Sequence, residues 1–138
     1  NTLRKHIDLV KGGGLARWAA PAHVAALILS DVIGDPLDVI ASGPCVPDSS
    51  TFADAWAVLE GYGLLERIPG PVLDHLRAGL RGAVPETPKP GDPLFARVQN
   101  AVIASNYQAA QAVKDALDQS AVNFYVQVGQ ESHDVFPP

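Results

Sequence analysis

The six apolar residues Val24 to Leu29 constrain this chain more than any other feature. The run is short, Pro21 precedes it, and it empties into Ser30-Asp31-Val32-Ile33-Gly34-Asp35-Pro36. A continuous apolar run of this length is the pattern of a strand covered on both faces, as in parallel sheets; helix is the alternative, and the flanking breakers favour strand. A buried strand ending in a small hydroxyl, two carboxylates and a glycine puts polar chemistry at its carboxyl end, where open α/β sheets bind ligands.

The remaining pattern alternates helix and strand. Leu3, Ile7 and Val10 share one face of a helix predicted over 2–11 and stopped by Gly12, Gly13 and Gly14. A short helix over 14–20 is closed by Pro21. Residues 34–50, with Gly34, Pro36, Gly43, Pro44 and Pro47, form a loop carrying a short extended piece at Val39 to Ala41. Thr51 and Asp54 make a helix start, after which Phe52, Ala55, Trp56 and Leu59 fall on one face up to Glu60. Leu64 to Ile68 adds a turn, and Pro71 opens a helix through Arg81. Pro85, Pro88, Pro90 and Pro93 mark an extended, solvated loop. Val98 to Ala104 is strand-like, Asn106 to Gln119 helical, and Val122, Phe124, Val126 and Val128 alternate as a further strand. Strand, helix, strand predicts a parallel pair, with 51–60 and 106–119 as helices covering the sheet. Trp18 and Trp56 are expected in the core.

Composition excludes several classes. A net charge of −5 argues against nucleic-acid binding, which concentrates Lys and Arg to release counterions. No apolar run approaches the roughly 18 residues of a membrane helix. A lone Cys45 and no charged-then-apolar leader make the cytoplasm the expected compartment. The absence of methionine and the start inside a periodic pattern read as a fragment.

Three stretches carry candidate chemistry. Lys11-Gly12-Gly13-Gly14 lacks P-loop and dinucleotide spacing, yet its glycines allow an anion to approach the backbone, with Arg4, Lys5 and Lys11 nearby; a helix cap and turn is the plainer reading. Ser30, Asp31 and Asp35 offer oxygens suited to Mg²⁺ or to a base that orients a hydroxyl, or else Asp31 caps the following turn. Ser42 and Gly43, before Pro44, make a turn or an anion-binding loop. Cys45 has no base beside it, and His6, His23, His75 and His133 show no paired metal spacing.

Asn1-Thr2-Leu3-Arg4-Lys5 through Lys11-Gly-Gly-Gly-Leu-Ala, then Leu27-Ile-Leu-Ser-Asp-Val-Ile-Gly-Asp-Pro-Leu-Asp-Val-Ile-Ala-Ser-Gly-Pro44, resembles the ATP-dependent glycerate 2-kinases, the class II glycerate kinases, some of which are called hydroxypyruvate reductases. Thr51-Phe-Ala-Asp-Ala, Tyr62-Gly-Leu, Val102-Ile-Ala-Ser-Asn106 and Glu131-Ser-His-Asp-Val135 extend the likeness over nearly the whole chain. Cys45 stands where the family usually has Thr, and Gln130 where it usually has Gly.

The resemblance implies part of a Rossmann-like N-terminal domain, a three-layer α/β/α arrangement with a mostly parallel sheet, belonging to a larger enzyme. The family's upstream Ser-Gly-Gly segment, an early Lys and the C-terminal domain with its catalytic Arg are missing from the string. Activity from these residues alone is therefore not expected. The resemblance further implies transfer of the ATP γ-phosphoryl to the 2-hydroxyl of D-glycerate, with ATP and Mg²⁺ required. The partners would be glycerate, the rest of the same enzyme chain and a further copy in a homo-oligomer. In that setting Arg4, Lys5 and Lys11 would bind phosphate or carboxylate, and Gly12 to Gly14 would allow close approach. Ser30, Asp31 and Asp35 would line the cleft, Asp31 orienting the acceptor hydroxyl or a Mg²⁺-bound water, with Ser42 and Gly43 completing the loop. The alternative is a non-catalytic α/β module that binds a ligand or protein. A nicotinamide-dependent reductase fares worse, since no Gly-x-Gly-x-x-Gly occurs.

Overall fold

A computed structural model of the chain describes residues 1–119. The predicted strand at Val122 to Val128, Gln130 and the Glu131 to Val135 match lie outside the described residues.

Among the described residues five α-helices and two strands follow in the order α1 (Thr2–Ile7), α2 (Gly14–Ala19), β1 (Val24–Ser30), α3 (Phe52–Gly61), α4 (Gly70–Leu80), β2 (Val98–Ser105) and α5 (Asn106–Asp118), with short 3₁₀ turns between them. The class is α/β, as expected. β1 and β2 pair in parallel, from Val24 opposite Val98 to Ser30 opposite Ser105. The register shifts between Ile28, opposite Val102, and Leu29, opposite Ala104, so Ile103 is an extra residue that bends β2 just before its carboxyl end.

Local chemistry sets the helix ends. Thr51 and Asp54 form the predicted reciprocal cap of α3, with the Asp54 N–H on Thr51 Oγ1 at 3.2 Å and the Thr51 N–H on Asp54 Oδ2 at 2.8 Å. Ser105 and Gln108 cap α5 in the same way. The first helix is shorter than predicted: it ends at Ile7, well before the glycines, because extended Asp8 turns its carboxylate onto the N–H groups of Val10 (2.8 Å) and Lys11 (3.3 Å). That local bond competes with the helical ladder.

The core is helical. Phe52, Ala55, Leu59 and Leu76 are buried against one another, with Leu3, Trp56, Leu73 and Val84 among the residues packed around them. No residue of β1 or β2 belongs to this cluster. The predicted role of the 51–60 helix as a cover for the sheet is thus replaced by packing on α1 and α4. The apolar stripe read from its sequence is real, but its partner is another pair of helices. Full cover of the Val24–Leu29 run is also not found among the described residues: burial alternates along β1, leaving Leu27 and Leu29 69 % and 71 % exposed.

Three smaller corrections follow from side-chain environment. Trp18 is 64 % exposed rather than core, and Trp56 sits at the core's edge, its indole N–H on Glu60 and the Arg77 guanidinium 5.6 Å from its ring centre. The piece at Val39 to Ala41 is not extended; Ile40–Ser42 forms a tight 3₁₀ turn. The proline-marked loop is packed, with Pro88 buried and the Asp48 N–H on its carbonyl at 2.9 Å.

Candidate active site

The carboxyl ends of β1 and β2 open onto a pocket of about 420 Å³ lined by Leu29, Ser30, Asp31, Ala104, Ser105 and Asn106. Parallel pairing brings both strand ends to the same edge, and α5 begins there, its amino end facing the edge. Buried Ser30 closes the turn that follows β1: its Oγ accepts the Val32 N–H at 3.2 Å. The capping task that Asp31 was a candidate for thus falls to Ser30. The exposed Asp31 carboxylate has no hydrogen-bond or ion-pair partner among the described residues. Only its main-chain carbonyl is engaged, by the Asn106 side-chain amide at 3.1 Å, which ties the two strand ends together. A carboxylate, a hydroxyl from Ser105, an amide and a helix start on one rim suit a polar, oxygen-rich ligand.

The glycine stretch and the Ser42 loop meet elsewhere. Gly12 and Gly13 donate to the carbonyls of Ser42 (2.9 Å) and Gly43 (2.8 Å), and Lys11 Nζ donates to the Ala41 carbonyl at 3.2 Å. The close approach that the glycines permit is to the chain itself. A Cβ on Gly14 would collide with the Leu9 carbonyl, and one on Gly13, at φ +83, would meet the Phe95 ring and the Val46 carbonyl. Ala41, Ser42 and Gly43 all adopt left-handed backbone, φ 51, 63 and 64, and buried Ser42 donates to Asn1 Oδ1 at 2.9 Å. Two successive non-glycine residues in that region are strained and must be held by their surroundings; the Gly12 and Gly13 bonds do so.

Behind this junction lies a buried ionic knot. Lys5, 6 % exposed, reaches Asp48, 0 % exposed, at 3.2 Å, with Asp38 at 3.6 Å. Asp48 also accepts from the Ser50 N–H (3.0 Å), the Ser50 hydroxyl (2.7 Å) and Thr87 (3.0 Å). Burial alone would raise its carboxyl, but those donors and the Lys5 charge hold it below the ordinary range. Glu86 is likewise held low: burial opposes, while the Phe52 N–H, Lys89 and His6 outweigh it. His6 links the two, 3.3 Å from Glu86 and 4.0 Å from Asp48. Lys89 bonds Glu86, Thr87 and the Ser50 carbonyl. Burial raises the Cys45 thiol, as befits a packed rather than nucleophilic cysteine.

The candidate residues therefore fall into separate places. Ser30 and Asp31 line the strand-end pocket, and Asp35, at φ 51, sits in the turn beyond it. Lys5, Lys11, Gly12, Gly13, Gly14, Ser42 and Gly43 assemble around the loop junction, and Arg4 is exposed on α1. Ser105 and Asn106 were missed as site residues although the signal was present: β2, like β1, runs from apolar residues into small polar ones. The partners of Asp48 come from segments far apart in sequence, and no spacing announces them. Among the described residues no group of three or more His, Cys, Asp or Glu is placed to hold a metal, and no helix is long and apolar enough to cross a membrane.

Residues 1–77 match the family described as Domain of unknown function (DUF4147). A protein named Glycerate 2-kinase from Pyrococcus horikoshii is 48 % identical over 113 residues, 82 % of this chain and 25 % of that protein. D-glycerate 2-kinase from Thermotoga maritima is 64 % identical over 64 residues, 46 % of this chain and 15 % of that protein. The crystal structure of glycerate kinase from Thermotoga maritima superposes with a TM-score of 0.67 at 40 % identity, over 88 % of this chain and 26 % of the other. The chain thus spans about a quarter or less of these proteins.

Proposed function

This chain belongs to the DUF4147 family, and on that premise we propose that it is part of the N-terminal α/β domain of a glycerate kinase, supplying one wall of the site where ATP and glycerate react. The observation that carries the reading is Asp31: an exposed carboxylate at the shared end of two parallel strands, relieved of structural duty by Ser30.

In this reading Asp31 accepts a hydrogen bond from the 2-hydroxyl of D-glycerate and receives its proton as that oxygen bonds to the γ-phosphorus and the β,γ-bridging P–O bond breaks, giving 2-phosphoglycerate and ADP. Ser30, Ser105 and Asn106 bound the pocket and fix the acceptor's orientation. A single carboxylate with hydroxyls fits a Mg²⁺ that keeps its waters and takes its other ligands from ATP, not an all-protein cage. Such an ion would neutralise phosphate charge, with Asp35, the neighbouring carboxylate, as its protein ligand while Asp31 stays free to take the proton. Lys11 and Arg4 supply positive charge from α1 and the following loop, Lys5 being taken up by Asp48 and Asp38, while Gly12 to Gly14 support the Ser42–Gly43 turn. Positioning and charge neutralisation then account for most of the rate. The enzyme works in the cytoplasm.

Asp31→Asn in the full-length enzyme tests this. It keeps the shape and removes the charge, so kcat should fall about 10²-fold or more, near 2.7 kcal/mol of transition-state stabilisation, with the melting temperature unchanged. A loss of stability with unchanged kcat would remove Asp31 from the mechanism and make Asp35 the carboxylate to test.

A further inference from the structure

We infer that Asn106, the first residue of α5, is a positioning residue that aims Asp31 by clamping the peptide unit following it. The inference rests on the reading of Asp31 as the group that takes the acceptor's proton, and it concerns what fixes that group in space. Asp31 lies just past β1, outside any helix or strand, and no partner among the described residues holds its carboxylate. Its aim is therefore set by its main chain. The peptide unit between Asp31 and Val32 is held at both ends. Its N–H, from Val32, donates to Ser30 Oγ at 3.2 Å, and its carbonyl, from Asp31, accepts from Asn106 Nδ2 at 3.1 Å. A peptide unit is planar, so bonds on its two opposite sides fix its plane and with it the ψ angle of Asp31. The Ser30 bond is local and moves with the turn; the Asn106 bond refers that plane to the end of β2.

The sheet register makes that bond possible. Pairing that ran on unbroken from Ile28 opposite Val102 would set Leu29 opposite Ile103, Ser30 opposite Ala104 and Asp31 opposite Ser105. The extra residue Ile103 advances β2 by one, so that Ser30 stands opposite Ser105 and Asn106 comes level with Asp31. Re-aiming a side chain at the end of a strand is a recurrent use of such bulges. The base from which Asn106 reaches is itself locked: the Ser105 N–H donates to Gln108 Oε1 at 3.1 Å and the Gln108 N–H to Ser105 Oγ at 3.4 Å. A group that takes a proton works only when held within about 0.5 Å of its productive place, and a misplacement of about 1 Å costs up to about 10²-fold in rate. Asn106 supplies that constraint and leaves the Asp31 carboxylate free for the acceptor.

Steady-state kinetics and hydrogen exchange on the full-length enzyme are the test. Asn106→Ala should lower kcat about tenfold and change KM for glycerate and for ATP by less than about twofold, with the melting temperature unchanged. Exchange of the Val32 amide hydrogen, followed by NMR, should become about tenfold faster. In the Asp31→Asn background, where no carboxylate remains to be aimed, Asn106→Ala should cost nothing further in kcat. An equal loss in both backgrounds would mean that Asn106 acts without Asp31 and overturns the inference. So does an unchanged kcat in Asn106→Ala when Asp31→Asn lowers it. Unchanged kcat in Asp31→Asn would strike the kinase role of Asp31 alone; the clamp is then decided by Val32 exchange, and exchange unmoved by Asn106→Ala overturns it. If Asn106→Ala does not fold, Asn106→Asp, which keeps the shape and suits a helix start but offers no donor, decides by the same readouts.

Discussion

The helical half and the sheet half of this chain use similar apolar residues to opposite effect. In the helices, Ala55, Leu59 and Leu76 are fully buried and Phe52 nearly so. In the strands, Leu27, Leu29 and Ile103 are more than half exposed, and the one buried residue is the polar Ser30. An amphipathic helix can close a core with two neighbours, whereas a strand whose two faces are both apolar needs a layer on each side. Residues 1–119 supply α1, α3 and α4 to each other and supply the second layer to neither strand. Stability is therefore concentrated in one half and the candidate chemistry in the other.

The hardest blow to this division is Asp48→Ala. It leaves buried Lys5 with only the exposed Asp38 at 3.6 Å and strips Ser50 and Thr87 of their acceptor, and a cost of about 3 kcal/mol is expected from chemical denaturation. A change under 1 kcal/mol would mean that the knot does not hold the helical half together. Next comes Gly79→Ala in α4. Helix propensity alone favours alanine by about 1 kcal/mol, yet the new Cβ would overlap the Phe52 ring, so a net loss of about 1 to 3 kcal/mol is expected in thermal melts.

Acid probes the same region more gently. Asp48 and Glu86 have folded-state pKa values below their unfolded ones, so the stability they confer is complete above about pH 4 to 4.5, where unfolded carboxyls ionise, and is lost as pH falls through the lower folded values. The urea midpoint should decline on acidification below that range, and less so in Asp48→Asn. The smallest effect belongs to the sheet: Leu27→Thr on the exposed face should change the stability of this chain by no more than about 0.5 kcal/mol while raising its solubility. A loss as large as that of Gly79→Ala would show that the open face is covered.

What the sequence made legible was local. The run into Ser30 located a strand end, Thr51 and Asp54 located a helix start, and the family resemblance read from motifs agrees with the matches to glycerate kinases. What it hid was pairing at a distance. Periodicity showed that 52–59 has an apolar face but not that α4 would meet it, and Trp18 lies in a helix of only six residues whose outward face the pattern does not distinguish. The early end of α1 follows from one Asp8 side chain, below the resolution of any periodic signal. The proline spacing near 85–93 suggested a solvated loop because proline reports backbone stiffness, not whether Thr87 finds the buried Asp48 or Lys89 the Glu86 carboxylate.

The pairing of β1 with β2 also fixes an order of events. Of the helical half, α3 and α4 are threaded between these two strands while α1 precedes both, so the sheet is among the most non-local contacts in the described residues and α3 packed on α4 among the more local. During synthesis β1 precedes β2, its partner among the described residues, and the two pair only after β2 has left the ribosome. Collapse of the intervening helices shortens the loop that strand pairing must close. Among these elements the strand-end edge is thus assembled last, on helices already packed, and the apolar β1 is the segment most in need of protection from aggregation while it waits for β2.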